Sequence, residues 1–111
     1  MTVYVDDWRQ WAQVGPVEGR WSHLTADSDA ELHEFASRLG LRREWFQDRH
    51  RDATRHHYDV TEPTRVRAIA AGARAVTWRE AARIRRQRRE AEAASAAGRE
   101  PSATPSPADP S

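Results

Sequence analysis

The sequence predicts a small α/β domain (α/β or α+β) with a three- to four-stranded, mostly parallel sheet, three helices and a disordered C-terminal tail. Three observations carry that expectation. Segments of alternating polarity interleave with segments of helical period in the order β, loop, β, α, β, α, β, α, and such interleaving favours parallel strands joined through helices. Ser28 with Glu31, and Thr77 with Glu80, have the spacing of capping boxes that open helices. From Ala93 onward no large apolar residue occurs, so ordering that stretch costs roughly 1–2 kcal/mol per residue with nothing buried to offset it. The expected domain is therefore residues 1–92, followed by a Pro/Ser/Ala-rich tail over 93–111.

Each element follows from local chemistry. Thr2–Asp6 reads as a strand with Val3 and Val5 on one face and Tyr4 and Asp6 on the other. Asp7–Arg20 contains Gly15-Pro16 and Gly19 and reads as a loop. Trp21–Ala26 is a second strand, with Trp21, His23 and Thr25 opposite Ser22, Leu24 and Ala26. Ser28 then caps a helix whose Leu32, Phe35, Ala36 and Leu39 fall on one stripe, and Gly40 stops it. Arg42–Asp52 is a charged turn that docks Trp45 and Phe46, and His56–Val60 is a third strand. Thr61 and Pro63 start a second helix with Val66, Ile69, Ala70 and Ala73 inward, ended by Gly72. Arg74–Thr77 is a short fourth strand. The last helix packs through Trp78, Ala81, Ala82 and Ile84, and beyond Arg85 it has only alanine to bury.

Composition limits the chemistry. No cysteine is present, which excludes disulfides, thiolate metal sites and cysteine nucleophiles. No apolar run approaches the roughly 20 residues needed to cross a membrane, and the N-terminus lacks a secretory pattern. A cytoplasmic protein with no membrane partner is expected. Charge is uneven: residues 1–61 carry 8 Arg against 11 acids, and residues 62–111 carry 10 Arg against 6 acids, with no lysine anywhere. Arginine suits phosphate and carboxylate recognition, although a compositional bias toward Arg and Ala yields the same count.

Sites in such sheets gather at strand ends, where loops converge. Asp6 ends the first strand, His23 lies in the second, and His57 and Asp59 share a face of the third. Two imidazoles and two carboxylates are a competent set for a divalent metal or for acid–base work. They serve equally as a polar network that fixes the fold, because no metalloprotease helix, phosphate loop or nucleophile elbow accompanies them. Tyr58 points away from its neighbours in a regular strand, yet its hydroxyl can reach a ligand at an edge. Trp8 and Trp11, on the loop, are free for ligand contact. His33 flanks a buried stripe, and His50 and His56 read as solvated. Arg85, Arg86, Arg88 and Arg89 form the densest basic run, either a solvated helix surface or a nucleic-acid contact.

Tyr4-Val5-Asp6, Trp21-Ser22-His23-Leu24, Ala26-Asp27, Glu31-Leu32-His33, Leu39-Gly40, His57-Tyr58-Asp59 and Ala71-Gly72-Ala73 resemble the small bacterial and phage domain of unknown function 4031. The resemblance spans Thr2 to about Glu80. It implies the domain boundary and the interest of Asp6, His23, His57, Tyr58 and Asp59, and it implies no reaction. The resulting expectation is a ligand-binding or accessory module for a small anionic or nucleotide-like ligand, with a divalent metal as candidate cofactor. A metal-dependent phosphoester hydrolase and a nucleic-acid adaptor acting through the last helix are the alternatives.

Overall fold

The computed structural model describes residues 2–48, 51 and 53–103, with the backbone alone over 97–103. Six strands form one sheet: β1 (Val3–Val5), β2 (Gln10–Val14), β3 (Val17–Ala26), β4 (Phe46–Gln47), β5 (His57–Thr61) and β6 (Arg74–Ala75). Three α-helices accompany them: α1 (Asp29–Arg38), α2 (Glu62–Ala70) and α3 (Trp78–Ala103). The strand order is β4-β5-β3-β1-β6, with β2 also paired to β3. Every pairing is antiparallel except β1 with β6.

The mostly parallel, three- to four-stranded sheet expected from the sequence is therefore corrected to a six-stranded, mostly antiparallel one. One local part of the difference lies in Gly15-Pro16. Gly15 has φ +59° and the proline ring holds the next φ negative, which is the backbone sequence of a two-residue type II′ hairpin. What reads as a loop over Asp7–Arg20 is thus β2, a tight turn and the first half of β3, in register from Val14↔Val17 to Gln10↔Trp21. One βαβ step does survive, since α2 joins β5 to β6 and these two strands run in the same direction.

Of the expected caps, Thr77 with Glu80 forms the full reciprocal box, Ser28 caps α1, and Thr61 does not cap through its side chain. The Thr77 hydroxyl accepts from Glu80 N while Glu80 Oε1 accepts from Thr77 N, both at 3.0 Å. Ser28 Oγ accepts from Glu31 N at 3.3 Å. Gly40 sits at φ +82°, and Leu41 N donates to Ala36 O while Gly40 N donates to Ser37 O, the paired bonds of a Schellman stop. Thr61 occupies the N-cap of α2 without a side-chain cap bond; its hydroxyl donates to Thr64 Oγ1.

The core lies on one face of the sheet, where Val5, Leu24 and Val60 meet Leu32 and Ala36 of α1 and Ala68 of α2. Two sequence expectations fail here. Val66, Ile69 and Ala70 of α2 are exposed, and only Ala68 of that helix is buried. The helix is rotated because the Arg65 guanidinium reaches inward to donate to Asp6 O at 2.8 Å. Trp45 and Trp78 are about half exposed, so of the aromatic pair Trp45-Phe46 only Phe46 packs on the core. The α3 helix runs as far as Ala103, so its end overlaps the start of the expected Pro/Ser/Ala-rich tail. Alanine, the best helix former, allows propagation without packing. Residues 104–111 lie outside the described residues.

Tyr58 belongs to this core at 1% exposure. Its hydroxyl is 2.9 Å from His33 Nδ1, and the His33 ring stands edge-on to Phe46 at 4.4 Å. Burial, then the charge of Arg43, hold the His33 imidazole below its ordinary value. The folded state therefore binds this proton less well than the unfolded chain, and stability falls as pH drops from the unfolded imidazole value of about 6.5 toward the folded one. The His33 contribution to the urea midpoint is expected to decrease between pH 7.5 and pH 5, against an opposite contribution from His57, whose value is raised. Over that range the midpoint should fall less, or rise more, in His33→Gln, whose amide can accept the Tyr58 hydroxyl without titrating. Equal changes in both proteins would remove His33 as the cause.

Candidate functional site

The face opposite the core carries the polar residues. β3 and β5 pair His23 directly with Asp59, and residues two apart share a face, so Thr25 and His57 join them. β1 adds Tyr4, whose partner is Thr25. Alternation along the strands thus places the site residues on one surface and Tyr58 on the other. Tyr58, read from the strand period as core by default and as a ligand contact only through its hydroxyl, is a core residue behind the sheet.

Asp6 enters through an irregularity. Val5 pairs with Leu24 and Gln10 with Trp21, so the four residues that join β1 to β2 face two of β3, like an extended bulge. Bulges re-aim side chains and interrupt the ladder. Here the Asp6 carboxylate takes over the ladder's role. Its Oδ1 accepts from His23 N at 2.9 Å and Trp8 N at 3.2 Å, and its Oδ2 meets His23 Nδ1 at 2.8 Å. Arg9 closes the bulge at φ +50°, a left-handed conformation uncommon for a side chain of its size. Paired contacts from its guanidinium to Glu62 hold it there. Burial raises the Asp6 carboxyl, but the bonds from the His23 ring and backbone outweigh it, and the net shift is downward. Asp6 is therefore an anion at neutral pH, and His23 must present Nδ1–H to it.

His57 is oriented in the same manner. Its Nδ1 is 2.9 Å from Arg55 O, and a carbonyl only accepts, so Nδ1 carries a proton. Its Nε2 is 3.3 Å from Asp59 Oδ1. Burial lowers the His57 value, while the bond to Asp59, the Arg55 carbonyl and the charges of Asp59 and Asp6 raise it; the net shift is upward. The His23 and His57 rings meet edge-on at 4.9 Å, and Trp8 stands 5.0 Å from His23 on the other side. His23, His57 and Asp59 each offer one donor atom within 4.8 Å of the others.

All four residues expected to share a site, Asp6, His23, His57 and Asp59, are thus brought together. Trp8 walls that site, whereas Trp11 lies apart, 62% exposed and donating to Glu18. His56, read as solvated, instead pairs with Asp29 at 2.9 Å with its side chain only 14% exposed; His50 lies outside the described residues.

A cleft of about 230 Å³ separates this face from α3, whose Ala81, Ile84, Arg85 and Arg88 line it. The four arginines of the basic run are therefore divided. Arg85 and Arg88 turn toward the sheet, and Arg86 and Arg89 are exposed. Arg88 donates to Ala26 O and to Glu92, both at 2.9 Å. Sequence reasoning missed Tyr4, Asp27 and Arg55 as lining residues. Tyr4 was recoverable, since it alternates with Asp6, and so was the 81-84-85-88 stripe of α3. Arg55 had no local signal, because the fold alone brings its turn to this face.

Among the described residues no helix is long and apolar enough to cross a membrane. A family model described as "Protein of unknown function (DUF4031)" matches residues 3–88. No curated protein matches, and no solved structure does.

Proposed function

We propose that this chain, which belongs to the DUF4031 family, is a binding module that holds a divalent cation on His23, His57 and Asp59 and offers it to a small anionic ligand. One observation carries the reading. Both imidazoles have Nδ1 committed, to Asp6 and to the Arg55 carbonyl, which leaves Nε2 as the ligand atom of each, and one donor atom from each of His23, His57 and Asp59 lies within 4.8 Å of the others. Metal-bound histidines typically have this outer-sphere support.

Two nitrogens and one carboxylate suit zinc or another first-row cation better than magnesium or calcium, which prefer all-oxygen cages. Donors bound at about 2.1 Å to one ion stand no more than roughly 4.2 Å apart, so binding would draw the three atoms slightly closer. Calorimetric titration of metal-free protein with Zn²⁺ is expected to give one ion per chain. His57→Ala should abolish that binding while the circular dichroism spectrum is retained. A wild-type protein that takes up no zinc, manganese or iron would end the proposal.

A second reading has its own support. Three protein ligands leave a coordination position open, as in catalytic zinc sites, where bound water becomes a nucleophile near neutral pH. The reading is phosphoester hydrolysis, and it requires turnover of p-nitrophenyl phosphate by the metal-loaded protein, lost in His57→Ala.

A further inference from the structure

The cleft beside the proposed metal position has a charge pattern of its own. Arg85 and Arg88 reach it from α3 and Arg55 from the turn before β5, so its guanidiniums come from two separate elements. Two carboxylates, Asp6 and Asp27, also line it, but both are engaged within the sheet. Asp6 is taken by His23 and by backbone N–H groups. Asp27 accepts from Thr2 N at 3.0 Å and from the Tyr4 hydroxyl at 3.1 Å. Three guanidiniums against two carboxylates leave the lining one positive charge in excess, and Arg88 is also paired with Glu92.

Arg88 is also oriented in advance. Its side chain is only 20% exposed, with Nε on Glu92 and Nη1 on the Ala26 carbonyl. A guanidinium has five N–H donors in a fixed plane, so these two bonds leave donors available. Holding a fork in place before binding lowers the ordering cost of recognition, and planar forks match phosphate oxygens in pairs.

We infer that Arg85 and Arg88, with Arg55 beside them, grip the terminal phosphate of a phosphomonoester while one of its oxygens meets the cation on His23, His57 and Asp59. This rests on the metal reading and adds the ligand class. A phosphate has enough oxygens to reach the ion and both arginines together, whereas a carboxylate has two. The helix that looks like a nucleic-acid surface in the sequence thus supplies the outer wall of a small-molecule site.

The test is calorimetric titration of the zinc-loaded protein with phenyl phosphate, inorganic phosphate and benzoate. Phenyl phosphate is expected to bind, and benzoate at least roughly tenfold more weakly. Arg85→Ala and Arg88→Ala should each weaken phenyl phosphate by about tenfold or more, the usual effect of losing a charged hydrogen bond, with zinc affinity unchanged. Inorganic phosphate binding as tightly as the ester would assign the cleft to the free ion, overturning the ester class. Zinc binding without phosphate binding, or phosphate binding indifferent to Arg85→Ala, would overturn the clamp and leave the metal site standing. Failure to bind zinc at all would instead indict the metal reading. Arg85→Ala keeps the test decisive should Arg88→Ala fail to fold, since Arg88 also ties α3 to β3.

Discussion

Asp6→Ala is expected to lower stability by about 2–4 kcal/mol and metal affinity by roughly 10–100-fold, the cost of stranding buried donors and of losing a ligand's outer-sphere partner. The residue is 6% exposed, and its carboxylate accepts from His23 N–H and Trp8 N–H across the bulge. Asp6→Asn separates the two effects. An amide oxygen can still accept from the backbone, so urea unfolding should show a smaller loss. Toward His23 Nδ1, however, the amide NH₂ is a donor. The imidazole then has to place its proton on Nε2, the atom that would bind the ion. Zinc affinity should fall as far in Asp6→Asn as in Asp6→Ala, although the fold is better preserved. Wild-type zinc binding by Asp6→Asn would show that Asp6 does not set the tautomer of His23.

The second large effect concerns the opposite face. Leu24 is 0% exposed and lies in the middle of the core between α1 and α2. Its truncation to alanine is expected to cost about 2–5 kcal/mol, from lost burial plus the cavity left behind. Val66→Ala, at a position 57% exposed, should stay within about 0.5 kcal/mol. Val66 sits on the stripe that reads as inward in the sequence, so its small loss beside the large one at Leu24 tests which face of α2 is inward. A comparable loss in Val66→Ala by urea denaturation would restore the orientation read from periodicity and contradict the inward position of Arg65.

That contrast shows where periodicity stops being informative. In α1 the stripe of Leu32, Phe35 and Ala36 is strong enough to define the buried face alone. In α2 the apolar residues are few and the helix is short. A single inward arginine bonded to the Asp6 carbonyl, 59 residues away in sequence, decides its rotation. Nothing near residue 65 announces that bond.

The candidate site divides in the same way. That His57 and Asp59 share a face, and that Tyr58 does not, follows from the period of a strand. That His23 joins them depends on β3 lying next to β5 with His23 opposite Asp59; a register one residue off would send it to the core. The Asp6–His23 contact depends on a bulge whose only sequence trace is an acidic loop.

By itself the sequence determined the features closed within a few residues: two helix caps, glycine stops, the inner and outer faces of β3 and β5, and family membership. These are satisfied by bonds between near neighbours, so the local order of residues is sufficient. Tertiary structure alone decided strand direction, the rotation of α2, and the meeting of Asp6, His23, His57 and Asp59 under the arginines of α3. Those depend on which distant backbone completes each edge and which distant carbonyl receives each buried donor, and many partners in one chain are chemically equivalent until the whole core has formed.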